Sequence, residues 1–204
     1  MSARLLLASL SLALCAGAAH ATPVELVTNG GFESYNVAAG GWQTYNNIGG
    51  WSTTNGIEIR NNAEGKAFEG NNFAELDTSG NSAIGQYLAT TAGTWYTLSF
   101  AYSPRANVGK DSNQIDVFWN NQSVTSVTAN GLTGNGAGNN WNVYTFNLLA
   151  TSDKTLLSFA AAGKSDSLGG GLDAVSVKVP EPASVALLGL GAAALLLSRR
   201  RKRG

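Results

Sequence analysis

Residues 95–102 read Trp-Tyr-Thr-Leu-Ser-Phe-Ala-Tyr, which places Tyr96, Leu98, Phe100 and Tyr102 on one side of an extended chain and Thr97, Ser99 and Ala101 on the other. A period of two does not build one helix face, so this stretch predicts a strand with one side in a core. Ile115, Val117 and Trp119 alternate with Asp116 and Phe118, and Asn120-Asn121 then turns the chain into 124–128, the pattern of a β-hairpin. Further strands fit 142–149, 154–160 and 172–178, with shorter ones at 25–28, 56–60, 72–77 and 83–88. About nine strands parted by Gly/Asn turns, with no amphipathic helix, predict an all-β fold of the jelly-roll β-sandwich type. The polar loops 103–113 and 130–140 are expected to be mobile, and Gly169-Gly170-Gly171 is read as a flexible corner.

The ends follow a different logic. Arg4, an apolar run from Leu5 to Ala16 and Ala19-His20-Ala21 make a secretory signal cut after Ala21. At the other end Pro180-Glu181-Pro182 precedes an apolar stretch and a basic run from Arg199 to Arg203. Residues 183–198 would make about 24 Å of helix, a little short of a hydrocarbon core of about 30 Å. The basic run would stay cytoplasmic, with the central domain facing outward and the chain transiently anchored in the inner membrane. The expected organisation is a signal peptide at 1–21, a sandwich domain at 22–179 and a sorting segment with a transmembrane helix at 180–204.

Charge and residue inventory exclude several chemistries. The whole chain balances 13 Lys+Arg against 13 Asp+Glu. Residues 22–179, however, hold seven cations and twelve anions, a net of −5. A mildly acidic domain without a basic stripe cannot neutralise phosphates, so nucleic acid is not an expected partner. His20 and Cys15, the single His and single Cys, both lie in the signal segment. Processing therefore removes the means for Ser-His-Asp or Cys-His catalysis and for His/Cys zinc sites.

The C-terminal segment, on Pro180-Glu181-Pro182, the Ala/Leu/Gly-rich stretch and the terminal Arg cluster, resembles the PEP-CTERM sorting signal of bacterial exported proteins. The resemblance implies an exosortase as partner and delivery to the cell surface or the exopolysaccharide matrix; a plain single-pass anchor is the alternative. A second resemblance rests on Asn29-Gly-Gly-Phe-Glu33, Trp51, Gly56-Ile-Glu-Ile59, Glu69-Gly-Asn-Asn-Phe-Ala-Glu-Leu-Asp77, Gln86, residues 93–100 and 172–177. Read in order, these look like the galactose-binding-like jelly rolls, close to extracellular carbohydrate-binding modules and DUF642-type domains. Asp173-Ala174-Val175 stands where Asp-Asn-Val is often seen, so the aspartate is kept and the neighbouring amide is lost.

Two kinds of site follow. In carbohydrate-binding jelly rolls that resemble this chain, the positions of Glu33 and Asp173 meet at a structural calcium, an ion that takes six to eight oxygen ligands. The alternative is that both carboxylates satisfy loop amides. For sugar, flat aromatic rings cover pyranose faces while amides, carboxylates and guanidinium groups bond the hydroxyls. Trp42, Trp119 and Trp141 with Glu58, Arg60 and Arg105 are the candidate ligand-binding residues, and Trp51 and Trp95 are expected in the core. Glu75 and Asp77 share one strand face, as in a solvated edge or an anion pair holding a cation. Glycosidase chemistry needs two carboxyls about 5–9.5 Å apart, which Glu58, Glu69, Glu75 and Asp77 could in principle supply, but the edge or cation-holding reading of the same-face pair is preferred. The chain is therefore read as a non-enzymatic surface or matrix protein that binds polysaccharide, with a structural matrix protein lacking a sugar pocket, and a hydrolase, as alternatives.

Overall fold

The structure is a computed structural model and describes residues 23–132 and 138–179. The signal residues Ala19 and Ala21, the motif Pro180-Glu181-Pro182 and the apolar C-terminal stretch lie outside the described residues.

Eleven strands form two antiparallel sheets. One has the order β1(Trp42–Tyr45), β3(Ile57–Asn61), β4(Asn72–Glu75), β11(Gly171–Lys178), β6(Trp95–Ser103), β9(Asn142–Leu149). The other runs β2(Ser52–Thr53), β5(Ala83–Ala89), β10(Lys154–Ala161), β7(Ile115–Trp119), β8(Gln122–Val127). The all-β sandwich read from the alternation is thus present. Two strands, β1 and β2, were not anticipated, and the expected strand at 25–28 is reduced to one bridge between Glu25 and Lys178.

The alternation decides which side chains meet between the sheets. Leu98, Phe100 and Tyr102 from β6, Ile57 and Ile59 from β3, and Leu172 and Val177 from β11 face Ile84, Leu88, Ile115, Val117, Leu157 and Phe159 of the other sheet. Phe100 and Phe159 meet edge to face across the gap, centroids 5.2 Å apart. Full burial of such a side chain contributes about 1.5–3 kcal/mol. The β7–β8 turn is formed by Asn120 and Asn121 at φ 49° and 62°, the left-handed pair that a two-residue hairpin with the right twist requires.

Three expectations are corrected. Trp95 is 55% exposed, because it opens β6 in the outward phase, opposite Leu149. Gly169-Gly170-Gly171 is close-packed rather than a free corner: a Cβ on Gly170 would lie 2.8 Å from the Tyr102 ring, and one on Gly169 would lie 2.9 Å from Glu75 Oε1. The 103–113 loop is pinned. Asn113, fully buried, accepts from the Arg105 N–H at 2.8 Å and donates to the Val108 and Gly109 carbonyls at 3.1 and 3.0 Å.

Candidate functional site

The strand registers assemble the candidates on the outer face of the six-stranded sheet. One row runs Thr44, Glu58, Glu75, Gly171, Ser103 across five strands; the next begins Trp42, Arg60, Phe73. Facing residues on adjacent strands have Cβ atoms about 5 Å apart, so Trp42 and Arg60 are side-chain neighbours. Trp42 is 59% exposed, whereas Arg60, Glu58 and Glu75 are buried, with Arg105 and Gly169 from the flanking loops bonded to Glu75. Arg60 Nη2 contacts Glu58 Oε1 and also Glu75 Oε2 at 2.8 Å; Arg105 Nη1 reaches the same Glu75 oxygen at 2.9 Å.

This cluster sets two cations against two anions. The Gly169 N–H adds a 2.7 Å bond to Glu75 Oε1. Burial pushes the Glu75 carboxyl up to about 8, and Glu58 beside it adds to that push, while Arg60, Gly169 and Arg105 pull it down. Asp77, one face-step further on, accepts the Asp166 and Ser167 N–H groups at 2.9 Å each. The solvated edge expected for Glu75 and Asp77 is therefore corrected: β4 is a central strand, and both carboxylates tie loops onto it. An unpaired carboxylate here would cost several kcal/mol, so the guanidinium groups and amides are a condition of burial.

Beside the cluster opens a polar cleft of about 560 Å³ lined by Asn62, Glu64, Gly65, Lys66, Ala106, Asn107, Gly138 and Asn139. Asn62, Glu64 and Asn107 hold φ of 52°, 61° and 64°. Non-glycine residues in that region cost about 1–2 kcal/mol each and persist where surrounding structure dictates them. Part of that structure is visible. Lys66 O accepts from Trp141 Nε1 at 2.8 Å and from Asn139 Nδ2 at 3.0 Å, and the Trp141 ring is wedged against Phe73 and Phe68 at 5.6 and 6.2 Å. On the opposite wall the Asn113 carboxamide fixes Arg105 and Val108, the residues flanking Ala106 and Asn107. The Tyr102 hydroxyl, whose ionisation burial pushes up, donates to Asn113 O at 2.8 Å and accepts from the Ala129 N–H.

The family described as a protein of unknown function, DUF642, matches residues 25–178. The chain belongs to the DUF642 family. The PEP-CTERM protein-sorting motif matches residues 178–202, which implies export, exosortase processing and sorting to the cell surface. No curated protein matches the chain. Among solved structures it is similar to the K1 cleaved adhesin domain of Lys-gingipain from Porphyromonas gingivalis, at 16% identity and TM-score 0.50 over 68% of this chain and 97% of that one. It is also similar to the carbohydrate-binding module TmCBM61, solved with β-1,4-galactotriose, at 15% identity and TM-score 0.47 over 77% and 99%. A family 35 carbohydrate-binding module from Clostridium thermocellum gives 16% identity and TM-score 0.45 over 67% and 97%. The likeness to the adhesin domain speaks to the fold alone, a two-sheet β-sandwich.

In this DUF642 domain five of the six expected ligand residues, Trp42, Glu58, Arg60, Arg105 and Trp141, come to one face. Trp119 does not join them. It is 6% exposed, packs at 6.1 Å from Tyr96 between the sheets and spends its Nε1 on Leu149 O, because it falls on the inward phase of β7. Of the two tryptophans assigned to the core, only Trp51 is there, 2% exposed. Glu64, Asn107, Asn113 and Asn139 were not singled out: loop asparagines read as solvated turn residues, and nothing in a Gly/Asn-rich stretch marks which of them converge.

Glu33 and Asp173 clasp one turn from two sides. Glu33 Oε1 accepts the Asn71 and Asn72 N–H groups at 2.8 and 2.7 Å. Asp173 Oδ2 accepts those of Phe68 and Glu69 at 2.9 and 3.2 Å, and Oδ1 that of Ala174 at 2.7 Å. Burial pushes the Asp173 carboxyl up to about 7, with the three amides lowering it and Glu69 raising it again. Among the described residues no group of three or more His, Cys, Asp or Glu is arranged to hold a metal ion.

Proposed function

We propose that this chain is a non-enzymatic surface or matrix protein that binds polysaccharide in the cleft between residues 62–66, 106–107 and 138–139. The observation that carries this reading is a polar cleft whose Lys66 is bonded by Trp141, whose Ala106 follows Arg105, and whose Asn62 follows the strand that pairs with the exposed Trp42. Asn107, Glu64 and Lys66 are exposed and offer donors and acceptors for sugar hydroxyls, while Trp42 offers a flat ring next to the strand that enters the cleft. Binding without cleavage is supported by the burial of Glu58, Glu75 and Asp77, which guanidinium groups and loop amides hold away from solvent rather than at the mouth of the cleft.

The same reading carries a structural calcium ion at Glu33 and Asp173. The turn they clasp contains Glu69, whose charge raises the Asp173 carboxyl, a repulsion that a bound cation would relieve. Against the ion stand the five amide bonds, which already take up lone pairs a cation would use. The experiment is a glycan-array screen of the full chain with calcium and with chelator, paired with thermal melts. Retention of a polysaccharide supports the sugar reading; no retention under either condition rejects it. An unchanged melting temperature in chelator rejects the calcium.

A further inference from the structure

The two sheets end, on one side of the sandwich, in strands with no partner among the described residues: β9 in the six-stranded sheet and β8 in the five-stranded one. They differ from the edges on the other side. β1 has four residues and β2 two, whereas β9 has eight and β8 six. Eight residues of antiparallel strand present about 27 Å of free N–H and C=O groups. Edges of that length are ordinarily blunted with lysine, proline or a bulge. β9, Asn-Val-Tyr-Thr-Phe-Asn-Leu-Leu, contains no charged residue and no proline, and its pairing with β6 runs without a register shift.

We propose that β9 is a self-association edge, pairing antiparallel with β9 of a second copy about a two-fold axis at Phe146. Self-pairing imposes a condition that few strands meet, since each side chain must suit a residue of its own strand. Outward and inward residues must also match, which removes every register that places an odd position opposite an even one. Centring on Phe146 satisfies both demands. Val143, 57% exposed, then faces Leu149, 40% exposed, and Thr145 faces Asn147 on the same outer surface. On the inner side Tyr144 faces Leu148, and Phe146 faces its own copy. Asn147 Oδ1 already accepts from Thr97 Oγ1 at 2.9 Å, which leaves its NH₂ free to donate to Thr145 of the other copy. Centring one residue earlier would set Val143 against Asn147 and Asn142 against Leu148, mixing apolar with polar at both ends.

The absence of charge has the same meaning. On the axis itself a charged side chain would meet its own like, and away from it an unmatched charge would face a neutral residue, so the uncharged β9 is compatible with self-pairing and offers nothing to an acidic or basic partner. Continuous with β9 lies a cleft of about 370 Å³ lined in part by Trp119, Val124, Phe146 and Leu148, with uncharged β8 as its other wall. The second copy would cover its mouth. Pairing joins two six-stranded sheets into one of twelve, and this inference is independent of the sugar cleft at residues 62–66.

The test is sedimentation of the full chain in a density-matched detergent, comparing wild type with two double variants at exposed positions. Wild type is expected as a dimer. Thr145→Lys with Asn147→Lys brings four ammonium groups around the axis and should weaken the dimer roughly tenfold or more. Thr145→Lys with Asn147→Glu should restore it, since each lysine then faces a glutamate of the other copy. In the register centred on Thr145 the same variant would set lysine on lysine and would not restore it. A monomeric wild type, a dimer that survives the four lysines, or failure of the Lys/Glu variant to recover overturns the proposal. Near-ultraviolet circular dichroism matched to wild type verifies that the variants are folded.

Discussion

Replacing Asn113 with alanine isolates the device that shapes one wall of the cleft. The side chain is fully buried and makes three hydrogen bonds, accepting from the Arg105 N–H and donating to the Val108 and Gly109 carbonyls, at 2.8, 3.1 and 3.0 Å. Each such bond contributes about 1 kcal/mol net, so Asn113→Ala should cost about 3 kcal/mol. For a domain of this size that lowers the melting temperature by about 6–12 °C. Asn113→Asp should be at least as damaging, because a carboxylate can still accept from Arg105 but faces two carbonyls it cannot donate to. The assay is urea unfolding of the full chain, read together with glycan retention well below the transition. Retention should fall in both variants, since Ala106 and Asn107 lose their fixed position. A loss of stability under about 1 kcal/mol, or full retention in a clearly destabilised variant, would refute the claim that this network preorganises the cleft.

Other outcomes follow from the same geometry. Glu75, pushed up to about 8, is protonated more readily folded than unfolded; its contribution is therefore fully present below the ordinary carboxylate range near pH 4–5 and is lost as pH rises through 8. Melts across pH 5–9 should show that decline, and Glu75→Gln, beside Glu58, Arg60 and Arg105, should flatten it; an unchanged slope would contradict the assignment. Ala174 sits at φ 49° in the bulge of β11, where the related pattern has asparagine. Ala174→Asn should stabilise the fold by about 0.5 kcal/mol, read as a shifted denaturation midpoint with unchanged slope. Trp42→Ala should leave stability within about 0.5 kcal/mol, because the ring is exposed, while weakening glycan retention.

Much of the sandwich was legible because alternation is a local property. Tyr96, Leu98, Phe100 and Tyr102 are inward whatever else the chain does, and Asn120-Asn121 announces its own turn. The short strands β1 and β2 carry no such signal. Trp42-Gln43-Thr44-Tyr45 becomes a strand only because Ile57–Asn61 lies beside it to be paired. Site residues divide along the same line. Glu58, Arg60, Arg105 and Trp141 were recognisable as residue types, yet what joins them is the register of four strands, a long-range fact. Trp119 and Trp95 exchanged roles for one reason: phase within a strand, rather than ring size, decides which tryptophan is buried. Asn113 is the clearest case of what sequence conceals, since its three partners lie within eight residues but its burial depends on Tyr102 and the close-packed Gly170.

The most direct test of the polysaccharide cleft uses Asn107→Gly and Glu64→Gly. Both residues hold a positive φ that glycine adopts without strain, so each substitution removes a cleft side chain while sparing the backbone. Affinity electrophoresis of the full chain through gels containing a polysaccharide retained on the array gives the answer. The cleft account predicts unchanged melting temperatures with retardation reduced in each variant and abolished in the double variant. Wild-type retardation in the folded double variant would contradict it.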